Sequence, residues 1–141
     1  MDIAVFGFDQ TIDGFEESLR EAAGQGFPAY GTSQIFGMDA LTGIAAAARS
    51  VPGIRVVTSV VPTYPRHPMM LAQQALTTQA AIGGRLVLGI GLSHQPVVEG
   101  MWGISFDRPV RHMSDYLSIL MPLLHDRRVS FAGEALTGRG E

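Results

Sequence analysis

Glycines and polar residues stand at the ends of four apolar runs, where a parallel sheet would bind a ligand. These ends are Gly7-Phe8, Gln34-Ile35, Ser59 to Thr63, and Gly91 to His94. Because ligands of parallel α/β folds bind at the carboxyl ends of the strands, we expect the four segments to share one rim. Strands that bind nothing also end in turn residues, so the pattern alone leaves a purely structural explanation open.

The sequence GIGLSH, residues 89–94, is a weak signal for a phosphate-binding loop. It lacks the third glycine of the GxGxxG fingerprint, and Gly91 is better explained by close approach of a planar ligand or by a tight turn. His67 and His94 have neither a paired carboxylate nor a metal-like spacing, which favours hydrogen-bonding or capping roles. We therefore predict no metal site and find no support for hydrolase chemistry.

The pair Ser59-Val60 lies inside a β-branched run that Pro62 closely follows. A bulge at this pair would interrupt the strand ladder and turn the backbone toward the rim. A buried serine bonded to a neighbouring backbone group explains the same residues more simply. The sequence by itself favours this simpler explanation.

Composition limits the class of protein. The chain has 141 residues, 46% of them hydrophobic and 16% charged, which predicts one soluble domain over residues 1–141. A net charge of −3 argues against nucleic acid as a partner, and no apolar run is long enough to cross a membrane. The absence of cysteine excludes a disulfide framework and is compatible with the cytoplasm, and the first residues do not suggest a secretory signal.

The elements that position these ends alternate between strand and helix. Strands are predicted over 3–8, 27–36, 54–61 and 86–91. Helices are predicted from a capping box of Asp13 and Glu16, then over 39–50, which Asp39 caps, and over 68–82. Short connections between such elements favour right-handed βαβ units and a parallel sheet.

A loop over 92–109 is followed by a last helix and a tail. The predicted apolar face of this helix consists of Val110, Met113, Leu117, Leu120, Met121 and Leu124. His112 and His125 lie on or beside the helix and are expected to face solvent. The tail, VSFAGEAL, predicts a short hairpin or an extended segment.

Four strand–helix units are too few for a closed (β/α)8 barrel, which takes about 250 residues. An open half-barrel would leave two strand edges unpaired and an apolar face partly bare. The chain is therefore interpreted as a truncated or split barrel, or as one that pairs with another copy. A complete small doubly wound domain is the structural alternative.

The order of several motifs resembles the luciferase-like monooxygenase superfamily, and more narrowly its F420-dependent oxidoreductases. The resemblance covers essentially the whole chain and corresponds to the N-terminal half of a typical member. The motifs are DALTGIAAAA, TSVVPTYPRHP, LAQQALTTQAAIGGR, LGIGLS, PVVEG, FDRP and VSFAGE. Their combined order is fairly specific, whereas no single motif is.

The resemblance implies a TIM-type barrel with coenzyme F420, or alternatively FMN, across its carboxyl rim. It implies a non-proline cis peptide at Ser59-Val60 that supports the ring system. The other implied cofactor contacts are Thr63, Gly91, Leu92 and Ser93. The implied reaction is hydride transfer between the deazaflavin and a small organic substrate, and an FMN-dependent monooxygenase is the alternative within enzymes.

Departures from the family pattern leave a second class of function open. The strand-two positions that usually hold Trp and Glu hold Gly31 and Gln34, and Gln cannot act as an acid or base. Gln34 and His94 are the candidates for facing the substrate, and Asp115 occupies the usual acidic position of the last helix. A non-catalytic half-barrel that dimerises, or binds a partner chain over its open edges, is the alternative.

Overall fold

The computed structural model describes residues 3–141 as short strands that alternate with helices. The strands are β1 (Val5–Gly7), β2 (Ala29–Thr32), β3 (Arg55–Thr58), β4 (Val61–Pro62), β5 (Leu86–Val87), β6 (Ile90–Gly91), β7 (Val129–Ala132) and β8 (Thr137–Gly140). The helices are α1 (Ile12–Gly24), α2 (Ala40–Ala47), α3 (Pro68–Ala81), α4 (Gln95–Gly100) and α5 (Pro109–Asp126).

The chain divides into two compact units. Unit 1 comprises Met1–Val61 and Ala75–Ile90, and unit 2 comprises Pro62–Gln74 and Gly91–Glu141. Unit 1 contains the four-stranded sheet with the helices that cover it. Unit 2 contains α4, α5 and the C-terminal hairpin. The residues at the carboxyl ends of the strands are therefore distributed over both units.

The sheet of unit 1 is parallel, with strand order β1-β2-β3-β5. Each strand lies beside the next sheet strand along the chain, so the order never reverses. A doubly wound sheet reverses its order at a switch point, whereas a barrel does not. The strand order therefore supports the predicted barrel type, here as an open four-stranded part, over the doubly wound alternative.

One face of this sheet carries the hydrophobic core. The cross-strand row Val5, Tyr30, Val56 and Leu86 follows from the register of the four strands. It packs against apolar residues of α1 and α2, including Phe15, Leu19, Ile44 and Ala47, and against Ile82 just after α3. Parallel sheets are normally covered on both faces, so this packing satisfies one of the two.

Arg85, just before β5, ties the helix and strand ends of unit 1 together. Its guanidinium donates hydrogen bonds to the backbone carbonyls of Ala48, Val51, Ile54 and Ile82, over distances of 2.6 to 3.0 Å. Ala48 is the C-terminal cap residue of α2, so its carbonyl lacks a partner within the helix. A planar fork with several donors suits such a set of carbonyls better than an ammonium group.

The helix starts agree with the sequence prediction in one case and not in another. Asp39 caps α2 as predicted, because its carboxylate accepts the amide of Thr42 at 2.9 Å. The predicted capping box of Asp13 and Glu16 is wrong. Thr11 caps α1, and its hydroxyl accepts the amide of Gly14 at 3.1 Å.

Unit 2 is built on α5 and the antiparallel hairpin of β7 and β8. The hairpin was predicted as one of two possibilities, but α4 falls in a segment predicted to be a loop. Asp115 on α5 holds the hairpin turn, since its carboxylate accepts the amides of Ala135 at 2.7 Å and Leu136 at 3.3 Å. The Ala135 amide is the main cause that lowers the pKa of this carboxyl group.

The predicted apolar face of α5 is partly wrong. Its buried residues are His112, Asp115, Tyr116, Ile119, Leu120 and Leu123. Val110, Leu117 and Met121, which were predicted to be buried, are exposed. The helix carries apolar side chains on more than one side, and periodicity alone does not identify the side that the fold covers.

We predict that replacing Arg85 by Lys lowers the free energy of unfolding by about 2 kcal/mol, because the fork of bonds to carbonyls is lost. Chemical denaturation of the full chain measures this change. The matched control is Arg49→Lys at an exposed position beyond α2, which should leave the midpoint nearly unchanged. Equal effects of the two substitutions would contradict the role assigned to Arg85.

Candidate functional site

The regular pairing of β3 with β5 is interrupted where these two strands end. The Thr58 hydroxyl donates to the Gly89 carbonyl and accepts the Gly89 amide, both at 2.8 Å. A Cβ on Gly89 would lie 2.1 Å from the Thr58 carbonyl oxygen, so only glycine fits here. The Gly89 carbonyl also accepts the Val61 amide at 2.9 Å, so the regular pairing stops at Thr58 and resumes at Val61. Each of the two predicted strands is therefore divided into two short ones.

The Ser59-Val60 pair lies directly after this interruption. The peptide bond between them is cis, as the resemblance implied. The Ser59 amide donates to the Thr32 carbonyl at 2.8 Å, which ties the corner to the end of β2. Ser59 is exposed and Val60 is 39% exposed, so the buried-serine explanation is wrong.

Exposed apolar side chains follow the ends of β1, β2 and β3 in unit 1. Phe8 comes directly after β1, Ile35 and Phe36 come after β2, and Val60 comes after β3; Phe8 and Phe36 are each 63% exposed. We call these four residues the apolar rim. Carboxyl ends of parallel strands lie at one edge of a sheet, so the apolar rim offers a planar ring system an apolar surface.

Tyr30 and Asp9 fix the end of β1. The Tyr30 hydroxyl donates to the Asp9 carboxylate at 2.9 Å, and Ser18 donates to the other oxygen of the same carboxylate at 2.9 Å. A Cβ on Gly7 would lie 1.9 Å from the Tyr30 hydroxyl, which explains the glycine at this strand end. Burial raises the pKa of Tyr30 to about 12, so the phenol stays protonated and donates.

Gln34 lies in the loop between β2 and α2, in unit 1. Its side-chain oxygen accepts the backbone amide of Ala40 at 3.3 Å, so it contributes to the start of α2. The Thr32 hydroxyl, two residues earlier in the chain, is buried. Among the described residues, it is the single buried side-chain nitrogen or oxygen atom without a hydrogen-bond partner. Buried hydroxyls are normally bonded, so an unpaired one beside a candidate site is notable.

The remaining predicted residues belong to unit 2. Thr63 donates its amide to the Gly91 carbonyl at 2.9 Å, so these two lie together. Leu92 and Ser93 are half-buried, and Ser93 has φ = 66° in the left-handed region. His94 is exposed at the N-terminal cap position of α4, where its ring makes no capping bond.

His112 was predicted to face solvent, and this is wrong. It is only 8% exposed, and its Nε2 lies 3.1 Å from the Thr63 hydroxyl. The Tyr64 ring stacks on its imidazole with ring centres 4.0 Å apart and planes at 4°. Desolvation lowers the pKa of His112, and the nearby Asp115 carboxylate opposes this.

A sequence signal for the position of His112 exists. Tyr116, Ile119 and Leu123 follow it at spacings of four, seven and eleven residues, which places His112 on an apolar stripe. Thr63 itself is 1% exposed with its hydroxyl bonded to His112, so its side chain serves the packing of unit 2. His67 has the predicted capping role, since its Nδ1 accepts the Met69 amide at 3.3 Å.

The residues at the apolar rim fit the ring of a flavin or deazaflavin better than its phosphate. The four arginines of unit 1 lie in α1, beyond α2, or at the start of β3 and β5, away from the carboxyl ends; they are Arg20, Arg49, Arg55 and Arg85. Within residues 3–141 no cluster of metal-binding side chains occurs. None of the helices in that range is long and apolar enough to span a membrane.

Comparison with known sequences gives two findings. The profile of the luciferase-like monooxygenase family matches residues 5–140. A Mycobacterium tuberculosis protein with the name "putative coenzyme F420-dependent oxidoreductase" is 32% identical over 135 residues, which cover 89% of this chain and 39% of that protein.

Solved structures give the same fold. The coenzyme F420-dependent tetrahydromethanopterin reductase of Methanopyrus kandleri superposes with a TM-score of 0.84 at 15% identity, over 97% of this chain and 44% of the reductase. The FMN complex of the oxygenating constituent of 3,6-diketocamphane monooxygenase, from Pseudomonas putida, gives 0.83 at 20% identity, over 99% and 43%. The chain thus spans less than half the length of these proteins.

We predict that Gly89→Ala destabilises unit 1 by about 1–3 kcal/mol, since the new methyl group meets a backbone carbonyl that cannot move aside. Gly24→Ala is the matched control at the end of α1, where nothing lies within 4 Å, and it should stabilise by about 0.5 kcal/mol. Urea unfolding distinguishes the two. A neutral Gly89→Ala variant would refute the described exchange with Thr58.

We also predict that the free energy of unfolding falls as the pH drops below about 6.5, the ordinary pKa of histidine. The folded state holds His112 neutral through a lowered pKa, so the unfolded chain binds the proton more readily in this window. His112→Gln should flatten this pH dependence, whereas the exposed His125→Gln should preserve it. An equally steep profile in His112→Gln would be inconsistent with a buried neutral imidazole.

Proposed function

Since the chain belongs to the luciferase-like monooxygenase family, we propose that it forms part of a coenzyme F420-dependent oxidoreductase. Its proposed role is to hold the deazaflavin ring for hydride transfer to or from a small organic substrate. The 32% identity to the M. tuberculosis protein supports F420 over other cofactors. When bound, the deazaflavin supplies the hydride donor or acceptor, and the chain supplies binding and orientation.

The observation that carries the proposal is the exposed Ser59-Val60 corner, with the apolar rim of the same unit. An aromatic ring that covers Val60 and the phenylalanines of the apolar rim would remove apolar surface from water, at about 25 cal/mol per Å². The backbone at Ser59 is fixed by its bond to Thr32, so the surface is preorganised. Preorganisation reduces the entropy lost when the ring binds.

The proposed cofactor contacts are Ser59 and Val60 in unit 1, with Thr63, Gly91, Leu92 and Ser93 in unit 2. Because the Thr63 hydroxyl is bonded to His112, its proposed contact is through the backbone. Gln34 and His94 are proposed to face the substrate. A glutamine amide can orient a substrate by hydrogen bonds but cannot exchange a proton, whereas an exposed imidazole can do both.

An FMN-dependent monooxygenase is the second candidate. It is supported by the FMN-bound monooxygenase that shares the fold. Both cofactors present a planar tricyclic ring, and an apolar surface does not by itself distinguish them. The phosphate of either cofactor needs positive charge or free backbone amides. The arginines of unit 1 do not supply this charge, because they lie away from the carboxyl ends of its strands.

The proposal also includes the setting in which the chain works. We propose that a partner chain or a second copy covers the two edge strands and the apolar sheet face, a setting supported by matched proteins that are more than twice as long as this chain. A cytoplasmic location is part of the proposal and is compatible with a chain without cysteine. The substrate belongs to the class of small organic molecules.

We predict that F420, titrated into the full chain and followed by fluorescence, binds in the micromolar range and more tightly than FMN. Val60→Glu should weaken binding about tenfold or more, equivalent to about 1.4 kcal/mol, because the ring would have to desolvate a carboxylate. The matched control is Ile3→Glu, at an exposed position before the amino end of β1, which should bind as the wild type does.

The outcomes separate the candidates. Binding of FMN alone would favour the monooxygenase. A folded chain that binds neither cofactor would reject both and favour the non-catalytic half-barrel. Equal losses of cofactor affinity in Val60→Glu and Ile3→Glu would exclude the apolar rim as the binding site. Circular dichroism would show whether both variants keep the wild-type fold.

A further inference from the structure

The loops that follow β1 and β2 carry three of the four residues of the apolar rim. The regular pairing of β1 with β2 ends before these loops, which comprise residues 8–11 and 33–39. The first loop carries Phe8, and the second carries Ile35 and Phe36. The position of one loop relative to the other therefore decides how these side chains form a common surface.

Bonds within unit 1 fix the ends of both loops. In the first loop, the Asp9 carboxylate accepts two side-chain hydrogen bonds, and Thr11 caps α1. In the second loop, Gln34 and Asp39 each accept a backbone amide at the start of α2. The contact between the two loops involves a further residue, Gln10.

The side chain of Gln10 contacts both loops. Its Nε2 donates a hydrogen bond to the Phe8 carbonyl at 3.3 Å. Its Oε1 lies so close to Gly37 that a Cβ at position 37 would be 2.1 Å from this oxygen. The side-chain amide of Gln10 therefore fills the space beside Gly37 while it holds the backbone of Phe8.

The backbone conformation does not require glycine at position 37. The φ angle of Gly37 lies outside the left-handed region in which glycine is favoured. The three heavy atoms nearest to a Cβ at this position all belong to Gln10. The presence of Gly37 is therefore explained by the space that the Gln10 side chain occupies.

We propose that Gln10 is a positioning residue, which couples the two loops and so sets the separation of Phe8 and Phe36 in the apolar rim. A ring that covers both side chains needs them at a fixed separation, and a preorganised surface reduces the entropy lost on binding. The Phe8 ring also packs edge-on against Phe6, with ring centres 4.8 Å apart. The role of Gln10 in cofactor binding rests on the proposed function, whereas the coupling of the loops does not.

The contact predicts a particular relation between two substitutions. Gln10→Ala removes the side-chain amide, and Gly37→Ala displaces it, because the flexible end of the glutamine can move away from the new methyl group. Either change releases the Phe8 carbonyl, so both should affect the loops in the same way. In the double variant the new methyl group meets no side-chain amide, and we expect no further effect.

The first test measures the environment of Phe8 in the full chain without any cofactor. Phe8 is labelled as 4-fluorophenylalanine, and its fluorine resonance is recorded by NMR. Gln10→Ala and Gly37→Ala should each shift this resonance, and in the same direction. The double variant should show the same shift as either single variant.

Two substitutions elsewhere in unit 1 are matched controls. Gln25→Ala removes a glutamine amide that donates to the Glu21 carboxylate at 2.9 Å near the end of α1. Gly24→Ala adds a methyl group where nothing lies within 4 Å. Both controls should leave the fluorine resonance of Phe8 at its wild-type position.

The second test measures F420 affinity by fluorescence titration. Because one hydrogen bond is lost, we expect binding to weaken about fivefold in Gln10→Ala and in Gly37→Ala. The double variant should also lose about fivefold, whereas independent effects would multiply to about 25-fold. The urea midpoint should stay close to the wild-type value, since the bond of Gln10 is exposed. This result would distinguish a positioning role from a loss of stability.

Three outcomes would overturn the proposal. The first is a fluorine resonance that Gly37→Ala leaves unchanged, and the second is a pair of shifts that add in the double variant. The third is a wild type that binds F420 no more tightly than Gln10→Ala does. If the wild type binds neither F420 nor FMN, the proposed function fails, and the fluorine measurement alone decides on Gln10. If circular dichroism shows that Gly37→Ala is unfolded, equal resonances in Gln10→Ala and Gln25→Ala would reject the proposal.

Discussion

A parallel sheet is apolar on both faces, and the rest of this structure depends on which residues cover each face. In unit 1, α1, α2 and the segment at the end of α3 cover the row that contains Tyr30 and Val56. On the opposite face, Phe6 and Val87 are 43% and 42% exposed, and the Phe6 ring packs edge-on against Phe8. Core packing on one face alone supplies less stability than a sheet covered on both.

The exchange between Thr58 and Gly89 connects the fold to the candidate site. Because the Thr58 hydroxyl accepts the Gly89 amide and the Gly89 carbonyl accepts both this hydroxyl and the Val61 amide, the ladder can stop without leaving the polar groups of Gly89 unpaired. The chain can then turn at Ser59 and expose Val60 at the end of the strand. A regular strand through residues 54–61 would have kept both residues in the sheet, so the interruption creates the surface that a ring could cover.

The sequence was sufficient to predict what is local. The alternation of strand and helix, the Asp39 cap and the hairpin follow from periodicity and short-range chemistry. The division of two predicted strands could not be predicted in this way, because it depends on the contact between Thr58 and Gly89. These residues are 31 positions apart, and neither residue alone indicates the contact. His112 was misplaced for a related reason: α5 has two apolar sides, and only the fold decides that its imidazole lies against Thr63 and Tyr64.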